Sequence, residues 1–71
     1  MNVTVNGESR RVEGSKTVEQ LLEDLGLDGR KVAVERNREI VPKSQYSDVT
    51  LFEGDKFEIV HFIGGGAPES L

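Results

Sequence analysis

The chain has 71 residues, of which 35% are hydrophobic and 31% charged, with no cysteine and a formal net charge of −4. This length holds one small soluble domain; the missing cysteine excludes disulfides and thiolate metal sites, and the acidic balance disfavours nucleic acid and favours a basic protein surface. No apolar run approaches the roughly 20 residues of a membrane helix, and Met1–Thr4 runs straight into a strand pattern with no basic n-region or apolar h-region, so a cytoplasmic protein with no membrane partner is expected.

Asn2 to Asn6 alternates, with Val3 and Val5 on one face, and Asn6-Gly7 marks a tight hairpin turn. Ser9 to Glu13 returns as the second strand, with Val12 inward, until Gly14-Ser15 breaks it. Thr17-Val18-Glu19-Gln20 fits a capping box, in which the threonine and glutamine side chains satisfy each other's backbone N–H groups. Val18, Leu21, Leu22 and Leu25 then recur at helical spacing over about two and a half turns, and Gly26 stops the helix.

Lys31 to Arg36 is a further alternating strand with Val32 and Val34 inward, and Asn37-Arg38 suits a turn. Ile40-Val41 resumes an extended run that Pro42 ends. Ser44 to Asp48 reads as a turn anchored by Tyr46, Val49 to Phe52 as a short strand, and Glu53-Gly54-Asp55 as a turn. Phe57 to Ile63 carries the strongest strand signal in the chain. A hairpin followed by one helix and later strands gives an α+β, β-grasp (ubiquitin-like) roll: a mixed sheet packed on one main helix. Residues 1–63 form that domain, and residues 64–71 a flexible glycine-rich tail.

One helix covers one face of a sheet. With Phe57 and Ile59 turned to the core, Val60 and Phe62 fall on the open face beside Thr4 and Ala33. Burying such a side chain is worth about 1.5–3 kcal/mol, so two left exposed next to the tail suggest a docking patch. Glu58 is either a solvated strand residue or an ion-pairing contact with a partner. His61, the only histidine, has no triad or metal-ligand cluster around it and reads as a strand residue near the sheet edge.

Gly64-Gly65-Gly66 lose more conformational entropy on ordering than any other tripeptide, which favours mobility, and offer no side chain, so they thread where a Cβ would not pass. They are followed by no Gly-Lys-Ser/Thr and no helix, unlike a phosphate loop. A glycine carboxylate on such an arm is accessible to an activating enzyme.

Val34-Glu35-Arg36-Asn37-Arg38-Glu39-Ile40-Val41-Pro42, together with Glu58-Ile59-Val60-His61-Phe62-Ile63-Gly64-Gly65-Gly66, resembles the ThiS family of sulfur carriers in thiamine biosynthesis, part of the ubiquitin-like MoaD/ThiS group. The helix start at Thr17–Leu22 and the turn at Glu53–Asp55 fit it as well. The resemblance implies a carrier and co-substrate, not an enzyme, alone a monomer. Gly66 would carry the chemistry and Gly65 be its slim neighbour. It implies that an adenylating, E1-like (ThiF-type) enzyme uses ATP and magnesium to convert the glycine carboxylate to an acyl adenylate. Sulfur displaces AMP to leave a thiocarboxylate, and a thiazole synthase (ThiG-type) takes the sulfur. The chain itself would bind no cofactor.

Ala67-Pro68-Glu69-Ser70-Leu71 departs from this pattern, because it holds the Gly66 carboxyl in an amide bond. Either it is a native extension that a peptidase removes, or it is not part of the natural chain. Other fates of the same adenylate are a carrier for molybdopterin, one for cysteine or homocysteine synthesis after proteolysis, and a ubiquitin-like modifier joined to lysine.

Overall fold

The two Asn-led turns set the sheet. The computed structural model describes residues 1–63 and 67–70. Asn6 and Gly7 both take positive φ (49° and 83°), as do Asn37 and Arg38 (51° and 70°). Two successive left-handed residues are the geometry that matches the twist of a two-residue hairpin. The first turn joins β1 (Asn2–Val5) to β2 (Glu8–Arg11); the second joins β3 (Val32–Arg36) to β4 (Glu39–Val41). The second strand ends earlier than expected, yet Val12 is buried as predicted, and its N–H donates to the Met1 carbonyl at 2.8 Å.

Helix α1 (Val18–Asp24) is only seven residues long, somewhat shorter than the spacing predicts. Its ends are well made. Thr17 Oγ1 accepts from Gln20 N–H at 3.2 Å, and Gln20 Oε1 accepts from Thr17 N–H at 2.9 Å, completing the capping box. At the other end Gly26, at φ 73°, donates to Glu23 O while Leu27 N–H donates to Leu22 O, a Schellman closure. Two turns of helix are marginal alone. Packing holds this one: Val18, Leu21 and Leu22 are buried against Val3, Val5, Val34, Phe57 and Ile59 from the sheet.

Strand β5 (Lys56–Ile63) is the centre of the sheet, whose order is β2-β1-β5-β3-β4. It runs parallel to β1, with Val5 opposite Phe57, and antiparallel to β3 from Val32–His61 to Arg36–Phe57. The β-grasp expectation therefore holds, a mixed sheet on one helix. His61 stands opposite Val32 on this central strand, not near the sheet edge as expected.

Two expectations give way. Val49–Phe52 forms no strand of the sheet; its contact is a single bridge, Thr17 with Thr50. Its hydrogen bonds go instead to the helix approach, Leu51 N–H to Lys16 O and Val18 N–H to Val49 O, while Leu51 is buried. The extension is not wholly a loose tail either: Ala67–Ser70 forms β6, antiparallel to β5, with Ile63 opposite Ala67 and Val60 opposite Ser70. A strand with unpaired backbone groups lies within reach of the returning chain, and pairing satisfies both. Gly64, Gly65, Gly66 and Leu71 lie outside the described residues.

Asp55 fastens the far end of β5. It is 5% exposed, and its carboxylate accepts from Arg36 Nε (2.9 Å), Asn37 Nδ2 (3.1 Å) and Phe52 N–H (2.8 Å). Asn37 Oδ1 in turn accepts from Lys56 N–H at 2.9 Å, so the β3–β4 turn is tied to the start of β5. Burial pushes the Asp55 pKa up, but the Phe52, Asn37 and Arg36 contacts together bring it below its ordinary 3.8. A carboxylate with a lowered folded pKa stabilises above its unfolded pKa, and that contribution is lost as pH falls through the folded value. Asp55→Asn should lower unfolding stability at neutral pH by roughly 1–3 kcal/mol, since one acceptor site becomes a donor facing donors. Denaturation of both proteins across the acid range checks this: the gap should close as pH falls below 3.8. A gap that stays constant down to the acid limit contradicts it.

Candidate functional site

The sheet face away from α1 is built by alternation. Phe57 and Ile59 enter the core at 1% and 0% exposure, so Glu58, Val60 and Phe62 occupy the opposite face. Glu58 is exposed, Val60 half-buried, and Phe62 41% exposed. Ala33 stands opposite Val60 and Glu35 opposite Glu58. The Lys43 ammonium lies 5.6 Å from the Phe62 ring centroid, where the negative face of the ring attracts a cation. Lys43 also donates to the Arg30 carbonyl at 2.8 Å, which holds it at this rim.

The structure thus brings Val60, Phe62 and Glu58 onto one surface, as the sequence predicts. Thr4 shares this face but lies at its far end, opposite Lys56 and away from Val60, because β1 ends at Val5. Ile40 also joins the surface: it stands opposite Glu35 and is 68% exposed, the most exposed large apolar side chain described. The signal was present in the Asn37-Arg38 turn, whose two-residue loop fixes which β4 residues share a face with Ala33 and Glu35. Gly65 and Gly66, the predicted carrier positions, lie outside the described residues. Among the described residues no three His, Cys, Asp or Glu side chains form a metal-holding group, and no helix is long and apolar enough to cross a membrane.

This face offers docking chemistry: apolar Val60 and Phe62 on β5 and Ile40 on β4, with the cross-strand neighbours Glu58 and Glu35 between them and Lys43 at one margin. The model of the ThiS family matches residues 3–66, from the first buried valine of β1 to the last of the three glycines. The chain belongs to the ThiS family. It is 39% identical over 64 residues to the sulfur carrier protein ThiS of Thermus thermophilus, covering 90% of this chain and 98% of that one. The crystal structure of the thiamine biosynthesis protein ThiS from Geobacter metallireducens superposes with a TM-score of 0.80 at 38% identity, over 93% of this chain and all of the other.

A thiazole synthase of Paramagnetospirillum magneticum is 59% identical over 70 residues, 99% of this chain but 22% of that protein. The chain therefore spans about a fifth of that relative, and likewise 20% of the thiazole synthase of Magnetococcus marinus. The first of these alignments runs past Gly66 into the extension, where the family match has stopped.

The exposure pattern makes a direct prediction about folding. Phe62→Asp should shift the denaturation midpoint by under about 1 kcal/mol, since the added charge stays in water. Ile59→Asp, at a position with 0% exposure, should unfold the domain, because a buried unpaired carboxylate costs several kcal/mol. Equal losses in the two variants would show that the Phe62 face is buried.

Proposed function

We propose that this ThiS-family chain is a cytoplasmic sulfur carrier of thiamine biosynthesis whose working group is the Gly66 carboxylate, with Gly65 as its slim neighbour. One observation carries the reading: the family match ends at Gly66, directly after the strand that presents the Val60–Phe62 face. The thiazole synthases that share this sequence support a thiazole synthase as the acceptor of the sulfur.

The chemistry follows from the weakness of a carboxylate as an electrophile. An oxygen of the Gly66 carboxylate attacks the α-phosphorus of ATP, held with magnesium by a ThiF-type enzyme, and pyrophosphate leaves. Sulfide, supplied by a sulfur donor, then adds to the acyl carbon and AMP departs with the bonding electron pair, so that the glycine ends as a thiocarboxylate. That sulfur is nucleophilic and tethered, and docking of the whole domain sets its encounter with the acceptor. This chain supplies the reacting terminus and the docking face; acid–base and metal chemistry belong to its partners. Val60 and Phe62 form the apolar contact, with Glu58 at its charged margin facing a basic partner.

In the 71-residue chain the Gly66 carbonyl is an amide. A peptidase that removes Ala67–Leu71 must act before adenylation. The alignment that continues past Gly66 supports reading these residues as part of the natural chain.

The test is ATP–pyrophosphate exchange with the cognate adenylating enzyme. The chain shortened to end at Gly66 should support exchange and the 71-residue chain should not; Val60→Asp and Phe62→Asp in the shortened, folded chain should abolish it, because docking would desolvate a charge. Exchange by the uncut chain with its mass unchanged would overturn the Gly66 assignment.

A further inference from the structure

The outer edge of β5 is filled in an unusual order. Strand amides point alternately to the two neighbours. Asn6 N–H donates to Phe57 O at 2.9 Å; beyond it the Asn6 side chain takes over, its Nδ2 donating to Ile59 O (3.0 Å) and its Oδ1 accepting from Ile59 N–H (2.8 Å). Lys56 O, by contrast, accepts from Asn37 N–H on the opposite edge. The alternation therefore directs the backbone groups of His61 and Ile63 to the same edge as Phe57 and Ile59, past the point where β1 has ended. There β6 lies, with Glu69 opposite His61 and Ala67 opposite Ile63. Pro68 is opposite Phe62, the position between them, whose backbone groups point to β3. At such a non-hydrogen-bonded position the absent proline N–H costs no ladder bond.

We propose that Ala67–Ser70 is a strand latch that governs release of the carrier terminus. It occupies the β5 edge beside Val60 and Phe62 and keeps Ala67–Ser70 from entering a peptidase cleft as an extended strand until β6 peels away. The inference rests on Gly66 being the working residue. Endopeptidases take their substrates as extended segments paired along the backbone, and β6 is already paired along its length with β5. Once β6 opens, hydrolysis adds water across the Gly66–Ala67 amide: the oxygen goes to the new Gly66 carboxylate and Ala67 leaves as the amine. The same cleavage bares the backbone groups of His61 and Ile63 on the edge that adjoins the docking face. Processing and exposure of the edge are then one event.

Amide hydrogen exchange on the 15N-labelled full chain, and on the chain ending at Gly66, tests the latch without any adenylating enzyme. The amides of His61 and Ile63 should exchange at least about tenfold faster in the shortened chain, while Ile59, held by Asn6, stays unchanged. In the full chain Glu69→Pro removes an N–H from a hydrogen-bonded pair. It should reproduce that acceleration and speed cleavage of the extension by proteinase K, whereas Pro68→Ala should do neither. Equal exchange at His61 and Ile63 in both lengths, with no effect of Glu69→Pro, would overturn the latch. Because neither readout involves ATP, a chain that fails pyrophosphate exchange leaves this result standing, and the reverse also holds.

Discussion

A strand in the middle of a sheet has two edges, and every backbone group on both must find a partner. Meeting that demand along β5 organises this molecule. One edge is simple: β3 pairs with it through five residues in register. The other is assembled from three pieces, β1 at its start, the Asn6 side chain across Ile59, and β6 from Val60 to Ile63. Asn6 does two jobs, accepting the left-handed turn conformation and standing in for a strand's peptide group where β1 turns away. Because β1 and β5 run parallel, the two hairpins and the helix must all be joined before the last strand slots between them. The last residues of β5 thus lie in the middle of the sheet and not at its edge.

A seven-residue helix sets the second constraint. It buries Val18, Leu21 and Leu22 on one side of the sheet and leaves the other side to solvent. Among the described residues no second layer covers Phe62 and Ile40, which stay exposed; the proposed docking role rests on that exposure. At the opposite end Asp55 gathers Arg36, Asn37 and Phe52 into a satisfied, mostly buried network.

Local chemistry was legible in the sequence, and long-range pairing was not. Asn6-Gly7, Asn37-Arg38, Thr17 with Gln20, and Gly26 each announce a turn or helix end through their own backbone preferences, and each stands where those preferences place it. The open face followed from simple alternation in β5. Val49–Phe52 misled because its apolar residues have strand spacing, while its hydrogen bonds are claimed by Lys16 and Val18 near the helix. Asp55 looked like an ordinary turn residue, since nothing local shows that Arg36 and Asn37 converge on it from nineteen and eighteen residues away. The β6 pairing was hidden by Pro68 and three glycines, both signs of a loop, although proline fits a position that needs no donor. The carrier assignment to Gly65 and Gly66 came from resemblance to the ThiS family, because a bare glycine run has no chemistry of its own.

The central claim is that Gly66 carries sulfur, and the intact mass of the protein isolated from its native cell tests it most directly. The account predicts a species that ends at Gly66 and is heavier than the free acid by the replacement of one oxygen with sulfur, a difference that alkylation of the thiocarboxylate should confirm. A cellular pool consisting only of the 71-residue chain, under conditions of active thiamine synthesis, would contradict it.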